Sequence, residues 1–178
     1  MTGNNVKTFL AESDVVDLLD RIMVGETVLG ALQTFSGAAM GLHQANARLW
    51  ILEEHVRDRA LPDAEVVALK REIDLRNLER HQAVKVLDEF MDATFGPGLS
   101  DDDSRVVLNS ESFGQLADRL SILTLKLAAH RLASSPALLV QLEVRRRRLE
   151  TCLRREWAAM LSGTAVRQTF EEAKTYIA

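Results

Sequence analysis

The chain has 178 residues, 47% of them hydrophobic, and carries a net charge of −4 from 22 basic and 26 acidic side chains. This size and composition suit one domain with a sizeable core and argue against global disorder. The charge balance lacks the basic excess of a dedicated nucleic-acid binder, so no nucleic acid is expected as a partner. Glu143, Glu150 and Glu156 are interleaved with the arginines at 145–148 and 154–155, which favours an ion-paired, solvated face. No apolar run is long enough to span a bilayer, so no membrane partner is expected.

Cysteine content and the start of the chain bear on location. The single cysteine, Cys152, cannot form a disulfide within the chain, and the first dozen residues lack the charged start and apolar stretch of a signal peptide. A cytoplasmic location is therefore expected. Cys152 follows an amphipathic helical pattern without a histidine nearby in the sequence, which predicts an inert, buried thiol.

Helix-forming residues at helical spacing predict an all-α fold. Residues 1–12 are expected to be a flexible N-terminus. A first helix should begin near Ser13 or Asp14, both good N-caps, and its apolar positions continue to Leu32. The small residues within 36–41 would permit either a helix break or a close helix crossing.

The middle of the chain predicts two further helices. One should run over residues 42–59, and a longer one over residues 63–94, with Asp63 as its N-cap and Gly96 at its end. Residues 97–107, which include three consecutive aspartates, predict a solvated loop.

The remaining helices are predicted over residues 109–132 and 135–161, the second with Pro136 at its first helical position. Gly163 should separate a short final helix over residues 165–176. Long helices with short connections favour antiparallel neighbours. The sequence thus predicts a single helical domain over the whole chain, a bundle of about five to six mostly antiparallel helices.

Polar side chains follow helical spacing on the second predicted helix, beside an apolar stripe. They recur at steps of three and four and so share one helix face: His43, Asn46, Trp50, Glu53 and Arg57. Two other helices carry similar lines: Asp74, Asn77, His81 and Asp88 on the third, and Glu111, Gly114, Asp118 and Ser121 on the fourth. The three lines would converge on one polar pocket between helices, a common place for small ligands. The alternative is a set of solvated faces with local ion pairs.

Several of these residues also carry a family resemblance. The run Leu108-Asn109-Ser110-Glu111, with Gly114 and then residues 118–123, resembles the signature of the bacterial domain-of-unknown-function family 4254. The polar line of the second helix is similar to that family's first motif. At the end of the chain, Ile177 stands where the family usually has asparagine after a tyrosine. The resemblance implies a helical protein of this size, often encoded near glycosyltransferases, and no settled activity.

Roles can be assigned to the candidate residues by chemical type. Acid–base chemistry in a partly buried cleft would use four titratable groups: Asp118, Glu53, Glu111 and His43. Arg57 and Arg119 would bind an anionic substrate. The other predicted substrate-binding residues are polar or aromatic: Asn46, Trp50, Asp74, Asn77 and Asn109. The alternative for Asp118 and Arg119 is a salt bridge that fixes helix packing.

Other chemistries have less support. No Glu-x-x-His pair occurs and Glu54 and His55 are adjacent, so no metal site is predicted. No glycine-rich phosphate loop or Rossmann fingerprint is present, and the sequence leaves the cofactor and enzymatic activity undetermined. Two functions follow. One is a small-molecule-binding enzyme or accessory factor in glycan or specialised-metabolite biosynthesis, the pathway being implied by the resemblance. The other is a non-catalytic interaction or scaffold protein that acts as a homodimer or with a protein partner.

Overall fold

A computed structural model describes residues 3–26, 32–96, 100, 102–132 and 136–168. These residues form six α-helices and two short strands: α1 (Gly3–Glu12), α2 (Val15–Met23), α3 (Gln33–His55), α4 (Asp63–Phe95), β1 (Val106–Asn109), α5 (Phe113–Leu132), α6 (Pro136–Leu161) and β2 (Ala165–Gln168). The pairs α3/α4 and α5/α6 pack side by side as helical hairpins, and α5 also packs on α3 and α4. The predicted all-α bundle is confirmed.

The N-terminal segment differs from the expected flexible tail. Residues Gly3–Glu12 form α1, and Leu10 on this helix is fully buried. The indole Nε1 of Trp157, a buried residue of α6, donates a hydrogen bond to the Leu10 carbonyl at 3.3 Å. Apolar burial together with this bond attaches α1 to α6.

Helix α2 corresponds to the first helix predicted from the sequence. It begins where the capping pattern predicted and ends earlier than predicted. The carboxylate of Asp14 accepts hydrogen bonds from the backbone N–H groups of Val16 and Asp17, at 2.9 and 3.1 Å. The helix ends at Met23, and Gly25 adopts a positive φ of 94° just beyond it. The predicted continuation to Leu32 is therefore wrong at this turn, while its position Leu29 lies outside the described residues.

Helix α3 begins nine residues before the predicted start at 42 and includes the small-residue segment. Phe35, Ala39 and Leu42 are all fully buried, so one apolar face continues through the segment without a break. A Cβ added at Gly37 or Gly41 would meet no heavy atom within 4 Å, so neither glycine permits a close crossing. The helix ends at His55, before the predicted residue 59.

Helix α4 starts one residue earlier than the predicted cap implied, and α5 starts a few residues later than predicted. Pro62 is the N-cap of α4, so Asp63 is its first helical residue rather than its cap. Helix α5 starts at Phe113 instead of 109 or 110, because Ser112 and Gln115 form a capping box. The Gln115 N–H donates to Ser112 Oγ at 3.2 Å, and the Ser112 N–H donates to Gln115 Oε1 at 3.0 Å.

The two strands correct two sequence predictions. Residues 106 and 107 fall in the predicted loop 97–107, and Ala165–Gln168 falls in the predicted final helix. Instead, β1 and β2 pair in parallel, with Val106 opposite Ala165 and Asn109 opposite Gln168. Backbone hydrogen bonding to a distant segment outweighs the local helical pattern here. The rest of the predicted final helix, residues 169–176, lies outside the described part of the chain.

An aromatic cluster joins the helices in the core. Phe35 of α3 lies with its ring centroid 5.4 Å from that of Phe90 and 6.1 Å from that of Phe113. Trp157 of α6 lies 5.9 Å from Phe113 and 6.0 Å from Phe95. The cluster therefore connects α3, α4, α5 and α6 through large buried rings.

One further sequence prediction concerns the exposure of the single cysteine. Cys152 is exposed, so the prediction of a buried thiol is wrong. The core-facing positions of α6 include Leu149 and Leu153, three residues before and one after Cys152, which places the cysteine on the outer face. Among the helices described, none is both long and apolar enough to cross a membrane.

Candidate functional site

A cleft of about 290 Å³ opens between α3, α4 and α5. Its wall combines polar, charged and apolar side chains: Asn46, Leu49, Trp50, Glu53, Glu54, Arg57, Arg80, Ile122, Leu125 and Lys126. Helix α3 contributes five of them, because steps of three and four residues keep its polar line on one face, and Arg57 lies in the turn that follows this helix. Four residues of that line chosen from the sequence, namely Asn46, Trp50, Glu53 and Arg57, therefore lie together on the cleft wall.

A buried hydrogen-bond network lies behind this wall. Asn46 Nδ2 donates to Asp118 Oδ1 at 2.8 Å and to Ser121 Oγ at 3.1 Å. Ser121 has no exposed surface, and its Oγ lies 2.9 Å from His43 Nδ1. The network ties α3 to α5 and holds the Asn46 amide in one orientation.

His43 takes part in this network as a neutral imidazole. Burial lowers the pKa of His43, and the negative charge of Asp20 opposes that shift. Since Ser121 Oγ already accepts from Asn46, its hydroxyl hydrogen is available to donate to Nδ1 of the neutral ring. His43 does not line the cleft, so the structure places it one layer behind the wall.

Arg80 of α4 borders both the cleft and the network. Its Nε lies 4.0 Å from Asp118 Oδ1 and is buried without a hydrogen-bond partner among the described residues. Its Nη2 lies 3.3 Å from His81 Nε2, and a quarter of the side chain (25%) is exposed. The charge of Asp118 therefore balances the inner edge of the guanidinium while the rest of Arg80 reaches the cleft.

Charged groups in the wall differ in whether they are paired. Arg57, in the turn after α3, forms an ion pair with Glu54 near the end of that helix, and both side chains are more than half exposed. Glu53 and Lys126 form no ion pair within the described ranges, although both line the cleft. An unpaired carboxylate and an unpaired ammonium are thus available to a ligand.

The other predicted site residues lie away from the cleft. Asp74 is exposed on α4, Asn77 is partly buried there, and neither lines the cleft. Glu111 precedes α5 and forms an ion pair with the exposed Arg119, one of the interactions the sequence left open as structural. The polar residues predicted to share a face of the fourth helix therefore do not all lie at the cleft: Asp118 and Ser121 lie close to it, and Glu111 does not.

Asn109 belongs to a second polar cluster near the start of α5. Its Nδ2 donates to Glu156 Oε1, and burial raises the pKa of Glu156 to about 7. In the same region, Asp88 accepts hydrogen bonds from Ser112 Oγ and from the Gly114 N–H, both at 2.7 Å. Burial also raises the pKa of Asp88, against these hydrogen bonds. The cluster joins α4, α5 and α6 and has the character of a structural anchor.

Sequence reasoning did not select Arg80, Lys126 or Glu156 as site residues. Arg80 lies three residues after Asn77 of the third predicted helix, and this helical step is the signal in the sequence that could have indicated it. Lys126 falls one step past Ile122 on α5, and only the packing of α5 against α3 reveals its place in the cleft. No group of three or more histidine, cysteine or acidic side chains in the described ranges is arranged to hold a metal ion.

Comparison with known proteins gives one match. No curated protein and no solved structure matches the chain. The model of a family described as "Protein of unknown function (DUF4254)" matches residues 37–167, which include α4, β1, α5, α6 and the whole cleft wall. On the strength of that match, which covers well over half of the chain, this protein belongs to the DUF4254 family.

Proposed function

We propose that this chain binds a small molecule in the cleft between α3, α4 and α5. The observation that carries the proposal is the convergence of polar groups from three helices on one opening, with a buried network behind it. The resemblance to a family often encoded near glycosyltransferases suggests the wider role. In that role, the protein is an enzyme or accessory factor in glycan or specialised-metabolite biosynthesis.

The cleft wall has the properties of a preorganised binding site. Asn46 is buried and donates two hydrogen bonds, which already fix its side chain. Little further conformational entropy is therefore lost at this residue when a ligand binds. Glu53 and Lys126 retain their full hydrogen-bonding capacity toward the cleft, because no described residue pairs with either charge. Trp50 adds a partly buried ring that supplies a flat apolar contact.

The proposal gives the acidic residues different parts. Glu53 faces the cleft and is the group placed to accept or donate a proton to a bound molecule. Asp118 touches Asn46 and lies near Arg80, so it acts as a positioning residue for both. His43 supports the same network through Ser121.

A thermal-shift screen of the full chain tests this function against metabolites and nucleotide sugars. A ligand that binds the native state raises the melting temperature by mass action. The shift should disappear in Glu53→Gln and shrink in Asp118→Asn. The matched control is Asp74→Asn, an exposed carboxylate on α4 outside the cleft. Shifts that are equal in all four proteins would place the ligand elsewhere and contradict the proposal.

A second candidate function, self-association as an interaction protein, has support from the outer face of α4. Three large apolar side chains are exposed there, Val67 at 50%, Leu75 at 46% and Leu78 at 54%. Exposed apolar groups on one helix face are typical of contact surfaces. Light scattering coupled to size exclusion would give a dimer mass for the native chain and a monomer mass for Leu78→Lys. A monomer for both would remove this candidate.

A further inference from the structure

We infer that the ligand of this cleft carries a phosphate group, bound by Arg80 and Lys126. The inference rests on the proposed function and names the class of molecule. Both cations line the cleft, and they come from different helices, α4 and α5. A phosphate between them would join two elements that otherwise contribute only like charge at this point.

The balance of charge in the wall supports an anion. The chain as a whole carries −4, yet the cleft wall holds three cations, Arg57, Arg80 and Lys126, against Glu53 and Glu54. Arg57 and Glu54 neutralise each other in their own ion pair. The remaining wall has two cations and one carboxylate, and the carboxylate of Asp118 lies behind it, 4.0 Å from Arg80 Nε. Because Asp118 does not line the cleft, the charges that face a ligand there are two positive and one negative. Such a site attracts a dianion more strongly than it attracts a neutral molecule.

Arg80 is already held in position for this task. Asp118 lies 4.0 Å from its Nε, close enough to orient the guanidinium and too far to take a hydrogen bond from it. Because the Nε is buried on the side of Asp118, the donors that Arg80 can offer to a ligand in the cleft are those of its Nη groups. Phosphate oxygens are the acceptors that a guanidinium and an ammonium together satisfy best.

The rest of the wall describes what is attached to the phosphate. Glu53 accepts hydrogen bonds and so favours hydroxyl groups, while Trp50, Leu49 and Ile122 offer an apolar side. A volume of about 290 Å³ lies at the lower end of small-molecule sites, which run from roughly 300 to 1,000 Å³. The fitting class is therefore a compact, hydroxyl-bearing phosphate ester the size of one sugar or nucleoside.

Tryptophan fluorescence of the full chain provides the test, with inorganic phosphate and glucose 1-phosphate as probes at constant ionic strength. Trp50 lines the cleft and reports binding, whereas Trp157 is only 4% exposed. Both phosphates should give a saturable change, tighter for the ester, and glucose or acetate should give none. Trp50→Phe should abolish the signal while a calorimetric titration with the ester still shows binding.

Two substitutions locate the anion. Lys126→Gln and Arg80→Gln should each weaken binding of glucose 1-phosphate roughly tenfold to a hundredfold, the effect of losing one charged hydrogen bond. Lys126 makes no hydrogen bond or ion pair with a described residue, so its variant is expected to keep the fold even where Arg80→Gln does not. Lys70→Gln is the matched control, an exposed lysine on α4 outside the cleft, and should bind as the native chain does.

The outcomes separate this inference from the proposed function. Equal affinity in the native chain and Lys126→Gln, or equal binding of acetate, would overturn the phosphate assignment. No response to either phosphate would overturn it as well. If another metabolite then raised the melting temperature in a Glu53-dependent manner, the cleft would still be a binding site. If no compound did so, both proposals would fail.

Discussion

At the scale of single residues, Glu156 has an unusual environment. It is only 8% exposed, its Oε1 accepts from Asn109, and its Oε2 has no hydrogen-bond partner in the described part of the molecule. Burial is the main cause that raises its pKa to about 7, and the negative charges of Asp88 and Glu111 act in the same direction. The protonated form is therefore the one that the folded protein favours.

This environment predicts a pH-dependent effect of Glu156→Gln. Because the folded-state pKa lies above the ordinary value of 4.5, the folded protein holds this proton more tightly than the unfolded chain does. The contribution of Glu156 to the free energy of unfolding is full below pH 4.5 and is lost as the pH rises toward about 7. At pH 8 the variant should be more stable than the native chain by on the order of 2–3 kcal/mol.

Urea unfolding at pH 5 and pH 8 measures this difference. At pH 5 the two proteins should differ little, because Gln keeps the acceptor for Asn109 and resembles the protonated acid. Glu12→Gln, at an exposed carboxylate of α1, is the control and should leave stability unchanged at both values. A Glu156→Gln variant less stable than the native chain at pH 8 would contradict the raised pKa.

Gly114 predicts a contrast between two glycines. A Cβ at Gly114 would lie 2.5 Å from the Val84 carbonyl oxygen and 3.0 Å from Asp88 Oδ1, so backbone must move to admit it. Gly114→Ala should lower the free energy of unfolding by about 1–3 kcal/mol. Gly37→Ala, at a helical site open to solvent, should raise it by about 0.5–1 kcal/mol. Chemical denaturation of both variants checks the sign, and a Gly114→Ala variant as stable as the native chain would argue against the close α4–α5 contact.

Residue identity alone does not indicate which arginines have a carboxylate partner. Arg57 and Arg119 were chosen from the sequence as anion-binding residues, but each has a carboxylate partner, Glu54 and Glu111 respectively. Arg80 has only a distant one. Whether a charged side chain is paired depends on rotamer and packing, which a sequence does not show. The shared face of the polar residues on α3 could be predicted from the sequence, because a single helix fixes the relative positions of its own residues.

At the scale of elements, Arg146 connects three helices. It lies on α6, is 16% exposed, and donates hydrogen bonds to Asp20 of α2, Thr124 of α5 and Glu150 of its own helix. Asp20 accepts this bond through Oδ2, and its Oδ1 is buried without a hydrogen-bond partner among the described residues, so the carboxylate depends on this arginine. Burial lowers the pKa of Arg146, but the hydrogen bonds and charges of Asp20 and Glu150 together outweigh it, so the pKa is raised.

Removal of this side chain should loosen α2 from α5 and α6. Arg146→Ala should cost about 1–3 kcal/mol, because it leaves a partly buried carboxylate unpaired. The neighbouring Arg145→Ala should change stability by less than about 0.5 kcal/mol, since Arg145 is exposed. Thermal and urea unfolding of the two variants measure the difference. Equal stability of the two would show that the connection contributes nothing.

The sequence predicted those element boundaries that are set by residues nearby in the chain. Asp14 caps α2 and Gly96 ends α4 through contacts within a few residues, and both were predicted. The strands were not, because β1 pairs with a segment nearly sixty positions later, from Val106 to Ala165. Leu10 is similar, since its burial depends on α6. Local signals predict helix ends, whereas distant partners decide what a short segment does.

At the scale of the whole molecule, Phe35 lies where four helices meet through aromatic rings. It is fully buried, and its neighbours Phe90 and Phe113 belong to different helices. Phe35→Ala should cost about 3–5 kcal/mol, since the cavity it leaves cannot close without moving those rings. Val140→Ala, at a side chain 60% exposed, is the control and should stay within about 0.5 kcal/mol.

The same variant tests whether the bundle unfolds as one unit. Near-ultraviolet circular dichroism follows the aromatic cluster, and far-ultraviolet circular dichroism follows the helices. In a cooperative domain, both signals of Phe35→Ala shift to the same lower denaturant midpoint. Separate midpoints would divide the helices into independently folding parts. The sequence predicted one all-α domain of this kind, because its helical periodicity covers most of the chain.

The parallel pairing of β1 with β2 has a consequence for the order of folding. In the sequence, the helical hairpin of α5 and α6 lies between the two strands. Val106 can therefore pair with Ala165 only after this hairpin has brought the strands together. Closing so long a loop without the hairpin would have a large entropic cost that four residue pairs could not offset. The strand pair should thus be the last contact to form and the first to open. In native-state hydrogen exchange, its amides should lose protection before those of the flanking helices do.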